Sequence, residues 1–206
     1  VQNTGKRGIS VGYPGGVNIT FDAENLGLNQ VWWGRFLDAR PVWTGQGSGQ
    51  AHLLSRDRGT LANGPALQTV REDEPWPKTT RRERGDQFLG YELDPQQRPT
   101  FRYTSGDLTI EDTPREHIQD GKTQLRRTLV VRGEWQSLQF LLARHKDITR
   151  VDEQTIRVDR WLTIHTGKHT AVILPAGEEK EARLSMLFEN DPSEIQLTYT
   201  WTKEGK

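Results

Sequence analysis

The sequence predicts an all-β chain, an antiparallel β-sandwich with very little helix, and three observations carry that expectation. Apolar residues alternate with polar ones at a period of two through most of the recognisable runs. Clusters of Gly, Asn, Asp and Ser separate those runs. No window of useful length shows a 3.6-residue apolar period with caps.

In chain order, the first clear run is Val17, Ile19 and Phe21 interleaved with Asn18, Thr20 and Asp22. Trp32 and Trp33 follow on a strand, where neighbouring side chains face opposite sides of a sheet, so one is expected in the core and the other outside. From 55 to 86 the chain is poor in apolar residues. It holds Glu72-Asp73-Glu74 and Arg81-Arg82-Glu83-Arg84, and reads as a long irregular excursion within a single domain of residues 1–206. The charges of that stretch are expected to neutralise one another in solvent. Strand alternation returns at Leu138, Phe140 and Leu142, then at Leu162 and Ile164, then at Leu184, Met186 and Phe188. It is cleanest at Ile195, Leu197, Tyr199 and Trp201, the four expected to share one buried face. Ser105-Gly106-Asp107, Asp120-Gly121, Thr166-Gly167-Lys168 and Asn190-Asp191-Pro192-Ser193 supply the turns.

At 206 residues the chain is long enough to bury a core without staples. With 33% apolar residues and a mean hydropathy of −0.79, that core is thin and much of the chain is solvated. Zero cysteines exclude thiolate catalysis, Cys-ligated zinc, disulfides and covalent haem attachment, so no cofactor is expected. Lys+Arg 28 against Asp+Glu 28 gives a net charge of zero, which argues against nucleic acid or an anionic membrane as partner. No apolar run reaches membrane-spanning length. A chain beginning at Val1 fits a processed or excised segment and leans toward export.

Function is less legible. Gly15-Gly16 after Pro14 lacks the longer pattern of a phosphate loop and reads as a turn. Gly45-Gln46-Gly47-Ser48-Gly49-Gln50 reads as a flexible loop that borders whatever Trp43 does. Seven tryptophans are many for this length, and Trp32, Trp33, Trp43 and Trp76 lie in the first half with Asp38 and Arg40 between them. Exposed indoles offer a stacking platform to the C–H faces of a sugar or an anchor to a protein, while buried ones simply fill the core. Those six residues are the candidate binding set. For acid–base chemistry the candidates are His52, His117, His145, His165 and His169 with Asp22, Asp38, Glu189 and Asp191, too many to choose among. A hairpin through Thr166-Gly167-Lys168 would set His165 and His169 face to face, about 5 Å apart. That is half a metal site, with His145 or a carboxylate needed to extend it, and no metal is expected.

Several phrases carry a family resemblance. Gly12-Tyr13-Pro14-Gly15-Gly16-Val17-Asn18-Ile19-Thr20-Phe21-Asp22 is followed by Trp33-Gly34-Arg35-Phe36-Leu37-Asp38-Ala39-Arg40-Pro41-Val42-Trp43, Gly90-Tyr91-Glu92-Leu93-Asp94, Arg98-Pro99-Thr100-Phe101-Arg102-Tyr103, Leu125-Arg126-Arg127-Thr128-Leu129 and Tyr199-Thr200-Trp201. Together they resemble the mutarotase-like β-sandwich module that accompanies c-type cytochrome domains in exported haem-binding proteins of environmental bacteria. The resemblance implies a periplasmic or otherwise extracytoplasmic, non-catalytic accessory module that docks a cytochrome partner or a carbohydrate. Its alternative is a carbohydrate-active enzyme, an epimerase or hydrolase, with His and carboxylates on the concave face of the sheet. This chain has no Cys-x-x-Cys-His site, so electron transfer would belong to a partner.

Overall fold

A computed structural model of the chain describes residues 7–44, 49–55, 58–62, 64–187 and 191–202. In chain order the strands are β1 (Gly8–Gly12), β2 (Val17–Asp22), β3 (Gly27–Trp33), β4 (Leu37–Asp38), β5 (His52–Leu53), β6 (Arg58–Thr60), β7 (Leu67–Gln68), β8 (Gln87–Leu93) and β9 (Pro99–Ser105). They continue with β10 (Leu108–Gln119), β11 (Lys122–Arg132), β12 (Leu138–His145), β13 (Ile148–Asp152), β14 (Thr155–Val158), β15 (Leu162–His165), β16 (Ala171–Ala176), β17 (Glu179–Met186) and β18 (Ser193–Trp201). Two helices of four residues each, α1 (Arg40–Trp43) and α2 (Arg81–Arg84), are the only α-helices among the described residues. The chain is all-β, and every strand pairing described is antiparallel.

An eight-stranded sheet runs β13-β14-β15-β18-β11-β10-β9-β8, and two four-stranded sheets, β1-β2-β3-β6 and β16-β17-β12-β7, share one apolar cluster with it; β4 and β5 form a separate ribbon. Phe21 of β2 stacks on Phe101 of β9, with centroids 4.2 Å apart and planes 9° off parallel. Phe140 of β12 lies against β11. One apolar cluster draws on all three sheets, so burial there stabilises the layers together.

The alternation in β18 is realised at three of the four positions, with Ile195, Leu197 and Tyr199 buried and Glu194 and Gln196 exposed, while Trp201 is only half-buried at the edge of the core. In β2 and over the first six residues of β12 both faces are buried. A bulge between Leu141 and Ala143 breaks the register of β12 with β17 and lets one extra apolar residue enter the core. Asp120 and Gly121, both with positive φ, make the two-residue turn between β10 and β11.

Two turn expectations are corrected. β15 pairs with β14 and β18 whereas β16 pairs with β17, so Thr166-Gly167-Lys168 carries the chain from one sheet to another and makes no hairpin. The stretch from Asp191 to Ser193 likewise joins strands of different sheets, and Phe188 lies outside the described residues.

The 55–86 excursion is more ordered than its composition suggests, because it holds β6, β7 and α2. Its few apolar side chains are its anchors: Leu61, Ala66, Leu67 and Trp76 are buried. On the outer face of β17, Arg183 and Glu181 form a buried ion pair that also engages Arg144 of β12. Arg183 donates to the carbonyls of Glu72 (3.4 Å) and Glu74 (2.7 Å) and lies 5.1 Å over the Trp76 ring. The acidic run therefore meets β17 through its backbone, while its side chains pair locally with Arg71 rather than with Arg81, Arg82 or Arg84.

Candidate functional site

The aromatic set singled out in the first half of the sequence is dispersed. Trp32 is fully buried, its indole N–H shared between the carbonyls of Arg35 (3.2 Å) and Phe36 (3.1 Å). Trp33 is half-buried against Trp201, with ring centroids 6.1 Å apart. Trp76, only 4% exposed, is held under Arg183 and donates to the Pro65 carbonyl. Trp43 alone of the four is a free indole, 84% exposed at the end of α1. Trp32 and Trp76 thus offer no face to a ligand. Asp38 and Arg40 spend their polar atoms on each other: the Arg40 Nε–H donates to Asp38 Oδ1 (2.9 Å) and its Nη2 to Oδ2 (2.6 Å). With the backbone N–H of Arg40 also donating to Asp38, these bonds hold the Asp38 carboxyl down at about 2. Gly45 to Ser48 of the Gly-rich loop and Glu189 fall outside the described residues.

The inner face of the eight-stranded sheet is no open catalytic surface either. It is covered, and its charged pair is closed: Arg127 Nε donates to Asp112 Oδ1 (2.8 Å), Nη2 to Oδ2 (2.5 Å) and Nη1 to the Tyr199 hydroxyl (3.4 Å). Burial works against the Arg127 charge, and the Asp112 carboxylate more than offsets it, holding the guanidinium above its ordinary value. The Gly15-Gly16 turn is closed by Glu116, whose carboxylate accepts from the N–H groups of Gly15 (2.7 Å) and Val17 (3.1 Å). A Cβ at position 15 would lie 2.6 Å from that carboxylate, so a larger residue there would push the Glu116 side chain off the turn. Asp22 caps its own turn through the N–H groups of Glu24 and Asn25.

His165 is exposed on β15, its Nδ1 accepting from Gly167 N–H, and His169 lies beyond the sheet crossing. Among the described residues no three His, Asp or Glu side chains gather as a metal site would require. No described helix is long and apolar enough to cross a membrane.

Polar groups do converge elsewhere, in a cleft of about 200 Å³ where the three sheets meet. Gln30 of β3 and Arg58, Gly59 and Thr60 of β6 form one wall. His145 at the end of β12, and Asp159 and Trp161 in the turn between β14 and β15, form the other. Backbone stitching explains the meeting: Leu61 N–H donates to the Asn29 carbonyl (2.8 Å), and Arg144 N–H donates to the Leu61 carbonyl (2.6 Å). This ties β12, and hence His145, to the β3–β6 edge. The 159–161 turn is wired from within. Asp159 adopts a positive φ of 58°, which Asp tolerates, and its N–H donates to the Asp147 carbonyl (2.8 Å). Its Oδ1 accepts from Arg160 N–H (2.7 Å) and its Oδ2 from the Trp161 indole N–H (3.2 Å), so the carboxylate fixes the ring. The indole lies on the bare backbone of Gly59, where a Cβ would come within 2.6 Å of it. His145 Nδ1 lies 3.0 Å from the Asp147 N–H and 3.2 Å from the Asp147 carbonyl, so the backbone of Asp147 engages Nδ1 and Nε2 is the ring nitrogen left for a ligand.

Of these residues only His145 was among the sequence candidates. Trp161 carried a local signal, an indole two residues after an Asp at the mouth of a strand. Nothing local pointed to Gln30 or Arg58, which reach the cleft only through tertiary pairing. The other described cavity, about 30 Å³ and bordered by Trp135 and His169, has room for about one water. Comparison of the sequence with models of known protein families and with curated proteins gives no match.

Proposed function

We propose that this chain is a carbohydrate-binding β-sandwich module whose site is the cleft at Trp161. The carrying observation is a half-buried indole locked in place by Asp159 and bordered by His145, Arg58, Gln30 and Thr60. A ring face with convergent hydrogen-bonding groups is what a saccharide needs, since its C–H faces pack on an aromatic while its hydroxyls pair. The volume lies below the ~300–1,000 Å³ of drug-sized pockets, which suits one sugar ring gripped at a time. Binding is taken as the role because both Asp159 oxygens accept from its own turn and no second carboxylate among the described residues lines the cleft, whereas hydrolysis works with two. The extracytoplasmic setting rests on the resemblance to exported haem-binding proteins.

The test is fluorescence and calorimetric titration with a panel of mono- and oligosaccharides. Quenching and heat that Trp161→Ala abolishes and Trp43→Ala leaves intact support the reading; absence of binding across the panel overturns it. Turnover of a bound sugar that His145→Ala stops would replace it with the enzyme reading.

A second reading has its own observation. Trp43 is 84% exposed, and Phe36, Val42 and Leu54 in the same region of the chain are also exposed, which suits a protein anchor such as a neighbouring cytochrome domain would meet. Loss of co-migration with a cytochrome in Trp43→Ala, with sugar binding unchanged, would establish that role.

A further inference from the structure

The cleft sets an exposed arginine with no carboxylate partner among the described residues beside an indole, and from this we infer that its ligand is an anionic saccharide, a sugar ring bearing a carboxylate or sulfate; the inference rests on the carbohydrate reading of the same cleft. Arg58 projects from β6 as an exposed side chain lining the cleft, and among the described residues no carboxylate lies within ion-pair distance of it. Asp159, the carboxylate among the described lining residues, lies beyond ion-pair distance of Arg58 and turns its oxygens to its own turn, Oδ1 to Arg160 N–H and Oδ2 to the Trp161 indole. His145 has its Nδ1 engaged by the backbone of Asp147, so its Nε2 is the ring nitrogen left for a ligand. What sets Arg58 apart is its place beside the Trp161 ring in the cleft, where a guanidinium can receive an acceptor from outside while the ring packs on the group that bears it. Arg58 presents a planar fork that pairs two oxygens of one carboxylate or sulfate, while Trp161 takes the ring that bears it.

Three ligands matched in length separate the possibilities: a neutral galacto-oligosaccharide, an oligogalacturonate and a sulfated galacto-oligosaccharide, each titrated calorimetrically into the wild-type chain, Arg58→Gln and Arg58→Lys. At least one acidic ligand is expected to bind about tenfold tighter than the neutral one at low salt, the size of a charge-assisted bond. That preference should shrink as salt rises. Which acidic ligand wins identifies the carboxylate or the sulfate as the natural group. Arg58→Gln should abolish the preference, bringing the acidic ligands to the affinity of the neutral sugar measured in the same variant, and Arg58→Lys should keep part of it. Equal affinity for all three ligands, or a preference untouched by Arg58→Gln, overturns the anionic ligand and leaves the carbohydrate reading standing. Failure of all three to bind removes both.

Discussion

Asp112 and Arg127 lie in the core with side chains 1% and 3% exposed, and their charged groups meet partners inside the chain: each other and the Tyr199 hydroxyl. Asp159, His145 and Arg58 are the same three kinds of chemistry placed where the sheets end. There Asp159 orients an indole, while the Arg58 guanidinium and the His145 Nε2 have no ion-pair or hydrogen-bond partner among the described residues. The difference separates a polar group that specifies a fold from one that receives a ligand. A closed network is worth its desolvation only if intact, whereas an open one holds bonding capacity for something outside.

The largest expected effect comes from opening the closed region. Asp112→Ala leaves Arg127 buried beneath Phe140 without its carboxylate, and should cost about 3–5 kcal/mol in urea unfolding. The double variant Asp112→Leu, Arg127→Met removes both charges and should fall within about 1 kcal/mol of wild type or above it. Neither change should alter saccharide affinity in the folded protein. A shift in affinity would break the distinction between the two regions.

Next in size is Trp76, which pins the excursion through Arg183 and Pro65. Trp76→Ala should destabilise by about 3 kcal/mol in the same assay and raise proteolytic cleavage within 70–80, without touching ligand binding. Gly59→Ala sharpens the comparison from the other side. Its new Cβ meets the Trp161 indole at 2.6 Å, so the ring must move; stability should fall by about 1–3 kcal/mol and sugar affinity should fall with it. Unchanged affinity in this variant would show that the indole position does not matter.

The smallest effect belongs to the Asp38–Arg40 pair, which lies at the surface. With the folded carboxyl held at about 2, below its ordinary 3.8, the pair contributes above the ordinary value and its contribution is lost as pH falls from about 4 toward 2. NMR titration should show the Asp38 carboxyl carbon moving only in that window, with the α1 amides following it.

Strands with one solvated face were legible, because burial there obeys the pleat: β18 alternates as its sequence does. β2 and most of β12 were found from the same alternation but misread as half-buried, since a second layer covers the side their polar residues occupy. The α2 helix had a visible start, Thr80 and Glu83 of a capping box, yet neither helix buries a residue, so no apolar period announced it. The core pair left a trace too, because Asp112 and Arg127 each interrupt the apolar side of a strand, Ile110 preceding the first and Leu125 and Leu129 flanking the second. The cleft left almost none. Its residues span 30 to 161 and meet through tertiary bonds such as Arg144 to Leu61 and Asp159 to Asp147, whereas the tryptophans close in sequence are dispersed, Trp32 and Trp76 in the core and Trp43 exposed.

The most direct test is a two-dimensional 15N–1H spectrum of the seven tryptophan indoles recorded during titration with an acidic oligosaccharide. The Trp161 resonance should shift in a saturable way while Trp43 and the buried Trp32 and Trp76 stay fixed. Saturable shifts at Trp43 with Trp161 unmoved would contradict the cleft and move the binding surface to α1.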